Sequence, residues 1–312
     1  SHAFVEIMDE ARDLSLELLD LDSNNYTSLF LQGGASTQFL MTAYNFLRNE
    51  AAFLDTGTWS KKAIKEAKLF GSVDVLASSE DDNYNHIPDF EIKKNYDYFH
   101  CTSNNTIFGT QINSFPKTKT PIFCDMSSDI FSRILDFSNF DLIYAGAQKN
   151  LGPAGTTLVV IKNDLLENIK QNVPSMMNYK VHIDKSSMFN TPPVFSIYVS
   201  MLNMRWIKKM GGVLELDKLN RKKAQMLYSE IDINPLFKGH AREVDRSIMN
   251  ATFNLCDDNF KESFESMLAE AKITALSGHR SVGGYRASMY NAMDIKSVKA
   301  LVEVMSELES KI

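Results

Sequence analysis

The stretch "DLIYAGAQKNLGPAGTTLVVIK", residues 141–162, decides how this chain is read. Two apolar, partly β-branched arms flank a run of alanines, glycines and one proline, with Lys149 among them. Short apolar runs bounded by turn residues are the pattern of strands buried on both faces. The small residues on either side of the lysine leave the space a ligand needs to approach the backbone closely. A lysine amine partly stripped of water loses its proton more readily and can form a Schiff base with a carbonyl. The plain alternative is a surface lysine in a hairpin, and the stretch alone leaves both open.

Strands and helices alternate around it. Residues 4–19 place Phe4, Ile7, Met8, Ala11, Leu14 and Leu18 on one helical face. "SLFLQ" (28–32) reads as a strand, "TQFLMTAYNFL" (37–47) as a helix and "AAFLDTG" (51–57) as a strand. "SKKAIKEAKLF" (60–70) is a helix closed by Gly71. Residues 80–95 read as a polar loop or short helix, and "DYFHCTS" (97–103) and "TPIFCDMS" (120–127) as strands. This alternation, up to about residue 165, predicts an α/β fold with a mainly parallel sheet and crossover helices. A helix over about 194–210 follows "NTPP" and stops at Gly211-Gly212. Then come a helix (213–230), a strand in "RSIMNATFNL", a helix near 259–271, a loop "SGHRSVGGYRASMYNA" (277–292) and a helix over 295–311. The expected organisation is a large domain, 1–212, and a smaller α+β domain, 213–312.

Composition narrows the function. A net charge of −6 argues against broad nucleic-acid binding. No run of 18 apolar residues occurs, so no membrane-spanning helix is expected, nor a secretory signal at the start. Cys101, Cys124 and Cys256 lie far apart without metal-ligand spacing, which suggests a reducing cytoplasm rather than a disulfide framework.

Four further places could carry chemistry. Asp125 closes the strand "PIFCD"; it is either a turn aspartate or an acid at the carboxyl end of a parallel strand, where open α/β sheets place ligands. A carboxylate there can keep the ring nitrogen of pyridoxal phosphate protonated, so Lys149 and Asp125 together suggest that cofactor. "LQGGASTQF" offers free backbone N–H groups to a phosphate at a helix start, or is simply a tight turn. It is neither a Walker loop nor a dinucleotide fingerprint. Trp59 either packs in the core or stacks on a cofactor ring. "GHRSVGGYR" gathers His279, Arg280 and Arg286, a solvated loop or a grip for an anionic substrate. The remaining histidines are scattered, and no metal site is proposed.

In this order the pieces resemble the phosphoserine aminotransferase family, class V, fold-type I pyridoxal phosphate enzymes. The stretches that carry the resemblance are "QGGASTQF", "DTGTWSKKAIKEAK", "TSNNTIFGTQ", "DMSSDIFSR", "YAGAQKNLGPAG", "SMFNTPP", "RSIMNATF" and "GHRSVGGYRASMYNAM", spread over nearly the whole chain. The resemblance implies a seven-stranded-type sheet in the large domain and makes Lys149 the Schiff-base lysine. Asp125 would pair with the pyridine nitrogen and Trp59 would stack on the ring. Ala35, Ser36 and Gln148 would hold the cofactor phosphate, and Thr106 would sit near the phenolic oxygen. Asn190 and Thr191 would complete the phosphate site of a partner subunit, which implies a homodimer with shared sites. Arg286 would take the substrate α-carboxylate, and His279 and Arg280 its phosphate.

The implied reaction is reversible amino transfer between O-phospho-L-serine and 2-oxoglutarate, with a phosphorylated hydroxythreonine of vitamin B6 synthesis as a further substrate. Rivals are another class V member, of the serine–glyoxylate or cysteine desulfurase type, or a non-catalytic binder of phosphate ligands on the same fold. Two departures stand out. Ser36 occupies a place where some members carry arginine. The family also begins with a longer segment containing a Ser-His-Arg motif, of which Ser1-His2 is expected to be the remnant, so that His2 would face substrate.

Overall fold

The computed structural model describes residues 1–311. Helix α1 (His2–Leu18) leads into β1 (Tyr26–Leu31), α2 (Gly34–Phe46), β2 (Glu50–Asp55), α3 (Thr58–Ala67) and β3 (Ser72–Ser78). Strands β4 (Phe99–Thr102), β5 (Asn104–Asn105), β6 (Thr110–Gln111), β7 (Ile122–Asp125), β8 (Leu142–Gly146) and β9 (Thr157–Lys162) follow. Helices α4 (Tyr179–Asp184), α5 (Val194–Lys209) and α6 (Gly212–Ile233) precede β10 (Phe237–Gly239), β11 (Asn250–Leu255), α7 (Lys261–Glu270), β12 (Tyr285–Ser288) and α8 (Ile295–Ser310).

Seven strands form one sheet in the order β1-β9-β8-β7-β4-β2-β3. The pairs from β3 to β8 are parallel, and β9 alone runs against its neighbours on both sides. Alternation along each strand sends successive side chains to opposite faces. Phe30, Ala52, Leu54, Ile143, Ala145, Leu158 and Val160 therefore join α1 and α5 in one core. Leu29, Leu31, Ala51, Phe53, Leu142, Tyr144, Val159 and Ile161 join α2 and α3 in the other. Burial on both faces explains why these strands read as continuous apolar runs. A second, antiparallel sheet, β10-β11-β12, packs with α6, α7 and α8 around a third core. Helix α6 spans both regions: Val213 and Leu216 lie in the first core, Ala224, Leu227 and Ile231 in the third.

The fold expected from sequence is present, with some elements it did not contain, β3 and β12 among them. Strand β3, "SVDVLAS", pairs only with β2 and is half-exposed along its length, so its residues carry no sustained apolar signal. Strand β12 lies inside the segment expected to be a loop. Its four residues are set by pairing with β11, a long-range contact that local pattern does not reveal.

Candidate active site

The parallel strands β2, β4, β7 and β8 end at one edge of the sheet, and the segments leaving them build the site. Strand β7 ends at Asp125, in register with Thr102 of β4 and Tyr144 of β8. The Asp125 carboxylate is 5% exposed, and its Oδ1 accepts the Ser127 backbone N–H at 2.9 Å. The Ser127 hydroxyl in turn accepts the Gly146 N–H at 3.0 Å, tying the Asp125 turn to the strand that delivers the lysine. Burial pushes the Asp125 carboxyl up from its ordinary range, while the Lys149 charge and the Ser127 bonds pull it back.

Lys149 sits three residues beyond β8, half-buried, with Nζ 5.1 Å from the centre of the Trp59 ring. Burial holds its ammonium below the usual lysine range; Asp125 opposes this and Arg286 adds to it. The lysine therefore has the electrostatics of a group that gives up its proton readily, as the small-residue turn suggested.

Trp59 lies in the first turn of α3, and its Nε1 donates to the Thr106 hydroxyl at 3.2 Å. The Thr106 carbonyl accepts Arg286 Nη1 at 3.2 Å. One chain of contacts thus runs Lys149–Trp59–Thr106–Arg286, joining the end of β8 to β12 of the second sheet. On the other flank, Gly33 takes φ +95° and α2 starts at Gly34, three residues before the expected helix start. Ala35 and Ser36 consequently lie in the first turn, where backbone N–H groups have no helical acceptor. Loop residues Asn190 and Thr191 come close to this turn. Gln32 Nε2 donates to the Thr191 carbonyl at 2.7 Å, and Asn190 shares a cleft with Gln32, Gly33 and Thr37.

Other expected residues stand apart. Gln148 is exposed beside Lys149. His279 shares a hydrogen bond with the Ser281 hydroxyl within its own loop, and Arg280 is exposed. His2 lies at the start of α1 with its imidazole 3.2 Å from Glu6, and none of its contacts is with the site. Sequence reading passed over Ser127 and Thr102. The small polar turn "MSSD" was the available signal for the first; Thr102 carried none.

The donor set fits pyridoxal phosphate. Asp125 is a buried carboxylate without an ion-pair partner among the described residues, a charge that a cationic ring nitrogen would complement. The Thr102 hydroxyl and Arg286 Nε are buried without hydrogen-bond partners, as groups waiting for a ligand would be.

The family model for aminotransferase class V matches residues 1–301. A phosphoserine aminotransferase of Flavobacterium psychrophilum is 60% identical over 315 residues, covering 100% of this chain and 88% of that protein. The chain belongs to the phosphoserine aminotransferases of class V. A solved phosphoserine aminotransferase, studied for radiation damage of its Schiff base, matches with a TM-score of 0.96 at 45% identity, covering 100% of this chain and 88% of that one. The phosphoserine aminotransferase of Trichomonas vaginalis, solved with its cofactor bound, matches with a TM-score of 0.91 at 36% identity, covering 97% and 88%. This is a pyridoxal-phosphate-dependent aminotransferase. Among the described residues no helix is long and apolar enough to cross a membrane.

Proposed function

We propose that this chain catalyses reversible transfer of the amino group between O-phospho-L-serine and 2-oxoglutarate, giving 3-phosphohydroxypyruvate and L-glutamate. The observation that carries the reading is the contact chain from Lys149 through Trp59 and Thr106 to Arg286, which links the lysine that would move the proton to the arginine that would bind the carboxylate. When bound, pyridoxal phosphate supplies an electron sink for the bond broken at the substrate α-carbon. Asp125 would hold the positive charge of the ring nitrogen, and Trp59 would bound the ring on one side. The free N–H groups of Ala35 and Ser36, with Gln148, would receive the cofactor phosphate.

Lys149 Nζ, kept short of its usual basicity by burial, takes the α-proton and returns it on the other side of the transfer. Arg286, tethered at Thr106 through Nη1, would grip the α-carboxylate with its remaining guanidinium N–H groups. His279 and Arg280, on the segment leading to β12, would meet the substrate phosphate or the distal carboxylate of the second substrate. A phosphorylated hydroxythreonine presents the same amine, carboxylate and phosphate and would enter the same site.

A homodimer and a cytoplasmic setting belong to the reading. Along α5 the side chains of Val194, Phe195, Tyr198 and Leu202 are exposed, next to Asn190 and Thr191, an apolar face suited to a second copy. Asn190 and Thr191 would then serve the partner's phosphate site. Three free thiols, with the Cys101 and Cys124 sulfurs 3.7 Å apart, fit a reducing compartment. The test is a half-reaction on cofactor-loaded protein, following the cofactor absorbance after adding phosphoserine or serine. Conversion with phosphoserine and not with serine supports the reading; equal conversion by serine, or none with phosphoserine, overturns the substrate. An active monomer in light scattering overturns the dimer.

A further inference from the structure

Three buried asparagines, Asn150, Asn220 and Asn291, lie at 5%, 0% and 3% exposure, and none has a part in the chemistry above. Each donates its carboxamide to one of three successive carbonyls. Asn150 Nδ2 reaches the Ile130 carbonyl at 2.5 Å, Asn291 Nδ2 the Phe131 carbonyl at 2.9 Å, and Asn220 Nδ2 the Ser132 carbonyl at 2.9 Å. They are also bonded to one another: Asn291 N–H donates to Asn150 Oδ1 at 2.9 Å, and Asn220 Nδ2 to Asn291 Oδ1 at 2.8 Å. At the centre stands Phe131, a bulky residue with φ +57°, a backbone state that the surrounding bonds must hold in place.

The elements joined here carry the reacting groups. Asn150 follows Lys149. Residues 130–132 close the turn that begins at Asp125. Asn291 lies five residues beyond Arg286, in the segment leaving β12. Asn220 comes from α6, and three residues on, the fully buried Lys223 donates to the carbonyls of Met289, Tyr290 and Met293 at 3.0, 2.9 and 3.2 Å. Those carbonyls bracket Asn291. The segment that delivers Arg286 is therefore clamped to α6 on one side and to the Lys149 and Asp125 turns on the other. Buried polar networks with nearly every donor used rigidify the elements they connect.

We propose that Asn150, Asn220 and Asn291, with Lys223, are positioning residues that hold Arg286 at a set distance from Lys149 and so align the substrate α-carbon with the lysine amine. This rests on the reading of Lys149 and Arg286 given above. The Thr106 tether still holds Arg286 and the adaptable His279–Arg280 loop can follow the substrate, so loosening the node leaves affinity largely in place. Alignment suffers instead, and misplacement by about 1 Å can cost on the order of 10²-fold in rate.

The test compares Asn220→Ala, Arg286→Ala and the double variant as cofactor-loaded enzymes with phosphoserine. For Asn220→Ala we expect kcat to fall about 10- to 100-fold with KM within about threefold of wild type. In the cofactor-free proteins, the pH midpoint for acylation of Lys149 gives a second readout. Withdrawing the Arg286 cation raises that midpoint, so Asn220→Ala raises it in the wild-type background and leaves it unmoved in the Arg286→Ala background. An equal shift in both backgrounds, or an unchanged kcat, overturns the node. Arg286→Ala with an unchanged KM overturns the carboxylate role itself, a distinct failure. If Asn220→Ala does not fold, Lys223→Met removes the second clamp from the same helix, and the same split between kcat and KM is required of it.

Discussion

The two sides of the candidate site are built differently. The wall on the strand ends is held before any ligand arrives: Asp125 is tied by Ser127, Ser127 to Gly146, Trp59 to Thr106 and Thr106 to Arg286. The segment around His279 and Arg280 has little of this. His279 bonds within its own loop, Arg280 is exposed, and Gly283 and Gly284 take positive φ. Proton transfer and charge stabilisation need groups aimed in advance, because reorganisation during the reaction is costly. Recognition of a phosphate in one half-reaction and a carboxylate in the other needs a surface that adapts. On the proposed reading, rigid geometry would sit where bonds change, and adaptable cations where the substrates differ.

That contrast can be broken by substitution. Lys149→Ala removes the group proposed to move the proton, and turnover should fall by about 10⁴-fold or more, while phosphoserine binding, read by equilibrium titration, is retained. Turnover within tenfold of wild type would remove the lysine from the rigid wall's chemistry. Asp125→Asn keeps the shape and deletes the charge proposed to face the ring nitrogen. The expected loss is about 10²- to 10³-fold in kcat with the cofactor still bound, checked by steady-state kinetics and absorbance. A larger effect on KM than on kcat would show that Asp125 serves substrate binding instead.

On the flexible wall the effects are smaller. Either His279→Ala or Arg280→Ala should raise KM for phosphoserine about tenfold, corresponding to about 1.4 kcal/mol, with kcat nearly unchanged. Turnover of unphosphorylated serine, which has no phosphate for these cations to hold, should not change. A fall in kcat without a change in KM would mean that this loop, too, is part of the preorganised machinery.

The sequence was most readable where one segment carries its own reason. The small-residue turn around Lys149, the two-faced apolar strands and the glycines ahead of α2 all signal locally, and the sheet followed from them. Asp125 was readable because a strand ended on it. The segment 277–292 was readable only as chemistry. Its arginines and histidine stood out, but β12, which aims Arg286, exists by pairing with β11, a partner some thirty residues earlier. Edge strand β3 escaped for the opposite reason: with a neighbour on one side only, it has no need of an apolar pattern. The asparagine node was invisible altogether. Asparagine in a sequence reads as turn or surface, and only folding brings Asn150, Asn220 and Asn291 to three neighbouring carbonyls.

The smallest expected effect is also the one that reports the rigid wall's electrostatics most directly. In the cofactor-free protein Lys149 is held below its usual range chiefly by burial, with Asp125 raising it and Arg286 lowering it. Removing a negative neighbour takes away support for the ammonium, so Asp125→Asn should move the Lys149 midpoint further down. Removing a positive neighbour does the reverse, so Arg286→Gln should move it up. Both shifts are read from the pH dependence of Lys149 acylation in the alkaline range, where the Asp125 carboxylate is ionised even with its raised pKa. Opposite signs require that the two charges act on the lysine directly. Shifts of the same sign would mean that each substitution acts by letting water in, and the rigid wall would then owe its tuned lysine to burial alone.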